Sequence, residues 1–147
     1  MLINHGAAGG CPQSGTTSTS GTCNNGWTQE DVWWVSWGAA PSYPQPEIYA
    51  TTGANANQWQ QLSLYSVLKH GGRMSILGPL SQYGACQKMG GCSGTDNTSS
   101  HAWSFLWSAL NGDSRTAQDL RMSTESSRAN RTPLYPRAFN GSVPGKI

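Results

Sequence analysis

The stretch "DVWWVSWG", Asp31–Gly38, is apolar on both alternating faces and rich in Val and Trp. Too short for a typical helix, it reads as a strand covered on both sides, as in a parallel sheet. "AAPSYPQP" follows, and its prolines cannot donate to a ladder, which excludes a central strand there. Pro46–Thr51 reads as a second short strand. A helix begins at Asn55, a good N-cap with Gln58 three residues on. Trp59, Leu62, Tyr65 and Leu68 fall near one face, Lys69 and His70 suit the last turn, and Gly71 or Gly72 ends it. Arg73–Leu80 reads as the next strand. A second helix starts near Thr98 or Ser99, with Trp103, Leu106, Trp107 and Leu110 at i, i+3, i+4 and i+7, and stops at Asn111-Gly112. "DLRMSTES" reads as a last short strand, and residues 1–26 as loop.

Strand–helix–strand alternation predicts an α/β fold of parallel-sheet βα units with right-handed crossovers. The expected architecture is a partial (β/α) barrel with disulfide-stapled loops. A full eight-stranded barrel takes about 250 residues, so this chain supplies roughly half of one. Three segments are expected: a Gly/Ser/Thr-rich loop over 1–26, an α/β domain over 27–125, and a basic, mobile tail over 126–147. Active residues in such folds lie at the carboxyl ends of the strands.

Composition sharpens the picture. Of 147 residues only 11% are charged, and seven tryptophans and five tyrosines supply large anchors, which excludes a disordered chain. Residues 1–125 hold five Lys/Arg against all seven Asp/Glu, a net −2, and the last 22 residues hold four basic groups and no acid. No basic face is predicted, so nucleic acid is not an expected partner. No 18-residue apolar run occurs, so no membrane span is expected.

The four cysteines form two local pairs, Cys11/Cys23 and Cys86/Cys92, in small-residue loops. Their spacings are wider than metal motifs use and no histidine lies close by, so loop-stapling disulfides are expected and no metal. Disulfides place the chain in an oxidising, extracellular setting. The N-terminus "MLINHGAAGG" has no signal-peptide pattern, which suggests a reading frame that begins inside a longer protein.

The runs "NGWTQEDVWWVSWG", "PEIYATTGANANQWQQLSLYS" and "GPLSQYGACQ…GCSGTDNTSSHAWSFLW" resemble the C-terminal part of secreted bacterial glycoside-hydrolase-like barrel proteins of actinobacterial type. The likeness covers about residues 20–125. It implies an extracellular (β/α)-barrel-type domain that acts on or binds cell-wall or plant polysaccharide. In related lysozyme-like barrels the key carboxylates lie on earlier strands that this chain does not contain.

Glycoside hydrolysis needs two carboxyl groups a few ångströms apart. Glu47, just past the proline bend, and Glu125, closing the last strand, are the expected catalytic pair facing one rim. Glu30 and Asp31 read as solvated residues before a strand, and Asp96 as a cap for the second helix. Trp27, Tyr43, Tyr49 and Tyr83 lie in or beside loops, where aromatic faces suit pyranose rings, and Asn55 and Gln82 are placed to bond sugar hydroxyls. Trp33, Trp59, Trp103 and Trp107 read as core. No nucleotide-binding motif occurs and no cofactor is expected. The alternative is a non-catalytic carbohydrate-binding or cell-surface module, or an inactive fragment. Half a barrel leaves open strand edges, through which the chain is expected to dimerise.

Overall fold

The computed structural model describes residues 1–19 and 21–126. The tail expected over 126–147 therefore lies outside the described residues from 127 onward. The described chain runs β1 (Leu2–Gly6), α1 (Gln29–Trp33), β2 (Ser42–Pro46), α2 (Ala54–His70), β3 (Leu80–Ser81), α3 (Tyr83–Lys88), α4 (Ser99–Asn111) and β4 (Thr124–Glu125).

Two short parallel ladders form the sheet. β1 pairs with β2 from Leu2↔Ser42 to Gly6↔Pro46, and β3 pairs with β4 as Leu80↔Thr124 and Ser81↔Glu125. A single parallel bridge, Glu47↔Leu80, joins them, so the strands lie in the order of the sequence with helices in every connection. This is the mixed, parallel-strand architecture expected of βα units. No closed barrel forms among the described residues.

The helices cover one face of the sheet. Residues of β1 and β2 alternate across it: Asn4, Gly6, Ser42, Pro44 and Pro46 are buried, whereas Ile3, His5, Tyr43 and Gln45 are half-buried on the other face. Asn4 Nδ2 donates to the Val35 carbonyl at 2.7 Å, which fixes the buried face as the helix side. The core lies there, from Val32, Val35, Ile48, Trp59, Leu62, Met74, Leu106 and Leu110.

"DVWWVSWG" is not a strand. Thr28 opens α1 with a capping box, its side chain accepting from the Asp31 N–H while the Asp31 carboxylate accepts from the Thr28 N–H. The burial is helical: Val32, Trp33, Val35 and Ser36 are inside and Trp34 is 46% exposed. Beyond Trp33 the helix widens into a π turn over Trp34–Gly38, where Ser36 Oγ donates back to the Val32 carbonyl at 2.7 Å and competes with the regular ladder.

The strand lies instead in the proline run. Alternate residues of a strand present their backbone groups to alternate neighbours. The Glu47 N–H donates to the Gly6 carbonyl at 2.8 Å, so odd residues face β1. Pro44 and Pro46 face the other way, and there Pro44 needs only its carbonyl, which accepts from Leu77 N–H at 3.1 Å. Donation on that side begins with Ile48 N–H to the Leu80 carbonyl at 2.9 Å. The missing proline donors fall where no ladder needs them. Residues 2–6, expected as loop, supply the partner strand β1, and the strand expected over 73–80 is reduced to Leu80–Ser81.

α4 matches its expected bounds within a residue, and α2 ends where expected but starts earlier: Gly53 is its N-cap, and Asn55, expected as the cap, lies inside the first turn with its side chain turned to the end of β2. α2 closes at Gly71, left-handed at φ 82°, and α4 is capped by Thr98, whose hydroxyl accepts from His101 N–H. Asp96 therefore does not serve as that cap. Cys11–Cys23 and Cys86–Cys92 both form disulfides.

Candidate functional site

Strand register sorts the candidate residues by face. Glu47 pairs with Leu80 and Leu80 with Thr124, so these three side chains share one face of the sheet. Gln45, two residues before Glu47, shares it too, and its Nε2 donates to Thr124 Oγ1 at 3.1 Å. This is the face away from the helices. Glu47 itself is only 7% exposed, at the carboxyl end of β2.

Glu125 is one residue out of phase. It pairs with Ser81, whose hydroxyl meets that of Ser99 at 2.8 Å at the start of α4, on the helix side. The Glu125 carboxylate accepts from Gly84 N–H at 3.1 Å and lines a cleft of about 220 Å³ with Ala85 and Lys88. Glu47 and Glu125 thus project from opposite faces, and the expected catalytic pair does not assemble.

The segment that leaves the Cys86–Cys92 disulfide, residues 93–97, roofs the carboxyl ends of β2 and β3. Gln82 Nε2 donates to the Thr95 carbonyl at 2.8 Å. Asn97 donates from its backbone to the Tyr49 carbonyl and from its side chain to that of Ile48. Thr51 N–H donates to the Gly94 carbonyl at 3.0 Å. These bonds set the backbone on either side of half-buried Asp96 against Tyr49 and Thr51, just past the end of β2.

Tyr49 is buried at this rim, and its hydroxyl hydrogen-bonds the Ser126 side chain. Burial pushes its pKa up to about 12, against the opposing effect of that bond, so the phenol keeps its proton and can act as a donor. Asn55 and Gln82 are fully engaged in structure. Asn55 Oδ1 accepts from both Tyr49 N–H at 3.2 Å and Ala50 N–H at 2.8 Å, tying the end of β2 to α2. Neither is placed for sugar hydroxyls as expected. Of the expected loop aromatics, Trp27 is buried in the core at 4% exposure, Tyr83 is exposed and Tyr43 half-buried. Trp33 and Trp59 are core, but Trp107 is 41% exposed and stacks on Trp103 with ring centroids 6.0 Å apart, so these two are not core as expected. The core side of α4 is Ala102, Leu106 and Leu110 instead.

Away from the rim, Glu30 joins α1 to α2. It accepts from the Tyr65 hydroxyl and lies 2.9 Å from His70 Nε2, while His70 stacks on Trp33 at 3.5 Å. It is not the solvated strand end expected from sequence. Burial raises its pKa, but the bonds from Tyr65 and His70 and the charges of His70 and Lys69 outweigh that and hold it below the usual value of 4.5.

Sequence reasoning missed the Gln45–Thr124 contact and the roofing role of the 92–98 segment. Neither "LINHG" nor "SYPQP" carries a strand pattern of its own, because the face buried under the helices holds Asn4, Gly6, Ser42 and prolines rather than large apolar side chains. Among the described residues no group of three or more His, Cys, Asp or Glu is placed to hold a metal ion, and no helix is long and apolar enough to cross a membrane. The two disulfides are compatible with an extracellular location. Comparison with protein-family models, with curated proteins and with solved structures finds no match.

Proposed function

We propose that the chain is an extracellular carbohydrate-active protein of glycoside-hydrolase-like design, part of a (β/α) barrel whose open sheet face meets the sugar. The observation that carries this reading is Glu47: a buried carboxylate at the carboxyl end of a parallel strand, on the face the helices leave uncovered. Asp96, in the segment set against the residues just past β2, takes the place of Glu125 as the second carboxylate. In this reading one acid protonates the leaving oxygen and the other acts at the anomeric carbon or on a water. The protonated Tyr49 phenol donates a hydrogen bond nearby.

A panel of soluble plant and bacterial cell-wall polysaccharides, scored for new reducing ends, tests it. Activity that falls about a hundredfold or more in both Glu47→Gln and Asp96→Asn supports the reading. Activity equal to wild type in both variants removes these residues from the chemistry.

The second reading, binding without turnover, is favoured by the divergence of Glu47 and Glu125, which puts the two strand-borne carboxylates on opposite faces of the sheet. Polysaccharide retention on affinity gels with no new reducing ends is its expected result.

A further inference from the structure

We propose a second ligand site, at the opposite end of β2 from Glu47, that takes a neutral sugar ring. A cleft of about 290 Å³ opens there, walled by Trp33, Trp37, Ala40, Pro41 and Tyr43, with Ser42 also in its lining. Ser42 and Glu47 are five residues apart on an extended chain, or about 16 Å, so this cleft is separate from the carboxyl-end rim. Its volume is at the small end of ligand sites, roughly 300 Å³, the scale of a monosaccharide or disaccharide.

The walls are preorganised. Trp37 and Tyr43 meet edge to face, centroids 5.3 Å apart and planes at 80°, which forms a corner of two π surfaces. Trp33 is fixed from behind by the parallel His70 ring at 3.5 Å and by the Nε1–H bond to Ser66 Oγ at 2.9 Å. Gly38 keeps the cleft's back open: a Cβ there would lie 2.4 Å from the Trp33 ring.

Two features select the ligand. Among the described residues no charged side chain lines the cleft, so an ionic ligand finds no counter-charge there. Ser42 is 2% exposed and its Oγ has no hydrogen-bond partner among the described residues, a costly state for a buried hydroxyl. A pyranose answers both conditions, with C–H faces for the aromatic corner and a hydroxyl for Ser42 Oγ, which turns about a single bond to meet it. A quaternary ammonium ion would suit the aromatic walls but has no donor for Ser42. The site does not depend on hydrolysis at Glu47.

The test is titration of the whole chain with cellotetraose, chitotetraose, xylotetraose and tetramethylammonium, read by the indole N–H signals of Trp33 and Trp37. At least one oligosaccharide should shift both signals saturably. Trp37→Ala should weaken that binding about tenfold. The milder Trp37→Phe guards against a folding failure and should weaken it less. Ser42→Ala should weaken binding several-fold while raising the melting temperature of the free protein, because it removes an unpaired buried hydroxyl. Glu47→Gln should leave these shifts unchanged.

Shifts with tetramethylammonium alone, or with no probe, overturn the proposal. So does oligosaccharide binding that survives Trp37→Ala and Trp37→Phe undiminished. Loss of hydrolysis in Glu47→Gln with intact Trp37 shifts would uphold both sites separately. Cleft binding without any Glu47-dependent turnover would sink only the hydrolase reading.

Discussion

Glu47 and Glu125 stand on opposite faces of one parallel sheet: Glu47 is in register with Leu80 and Thr124, and Glu125 follows Thr124 by a single residue. A shift of one position along a strand reverses the direction of a side chain. Glu125→Gln should therefore leave any polysaccharide turnover within about twofold of wild type, where Glu47→Gln loses about a hundredfold or more. Initial rates of reducing-end release for the two variants check this. Equal losses would mean the two carboxylates act together despite the register.

Asn55 is expected to be a stability residue. Its Oδ1 accepts from the Tyr49 and Ala50 N–H groups at the end of β2. Asn55→Ala leaves two backbone donors without their partner and should cost about 2–4 kcal/mol, whereas Asn55→Asp keeps the acceptor and should cost less than about 1 kcal/mol. Urea denaturation midpoints give the comparison. An alanine variant as stable as the wild type would show that water replaces the side chain at no loss.

Acid sensitivity should trace in part to Glu30. Its folded-state pKa lies below the ordinary 4.5, so its contribution is complete above about pH 4.5 and fades as the pH falls through the folded value. With 42% of its side chain exposed, solvent screening limits that contribution to about 0.5 kcal/mol. Glu30→Gln should melt lower than wild type at pH 7, and the gap should close towards pH 3. A gap of the same size at both pH values would assign Glu30 a role through packing alone.

The disulfides close loops of unequal length, with separations of 12 residues for Cys11–Cys23 and 6 for Cys86–Cys92. Chain-entropy reasoning gives losses of about 3 kcal/mol and about 2 kcal/mol for removing each by paired Cys→Ser changes. The second change should also loosen the loop that carries Asp96, so it should reduce any Glu47-dependent turnover out of proportion to stability. Denaturation and rate measurements on the two double variants test this. A Cys86/Cys92 variant with full turnover would exclude the loop from the site.

Much of the helical framework is legible in the residues themselves. The periodicity of 98–112, the glycine stop after His70 and the two local cysteine pairs need only neighbours within a turn or a loop, and the structure bears each out. Local chemistry also carried a signal that hydrophobicity hid: Thr28 and Asp31 form a capping box, and three tryptophans and two valines then follow as helix and π turn. The β1–β2 ladder was not legible, because Leu2–Gly6 and Ser42–Pro46 acquire strand geometry only by pairing with each other across forty residues. The prolines are admissible there only because their missing donors face the side where bonding begins at Ile48. The sequence alone settled the two long helices and which cysteines could meet, since short-range sterics and hydrogen bonding suffice for both. Tertiary structure alone decided that Glu47 looks away from the helices, that Glu125 looks towards them, and that the segment leaving a disulfide sets the backbone around Asp96 against Tyr49 and Thr51. Those outcomes depend on strand register and long-range hydrogen bonds, which no local pattern of residues encodes.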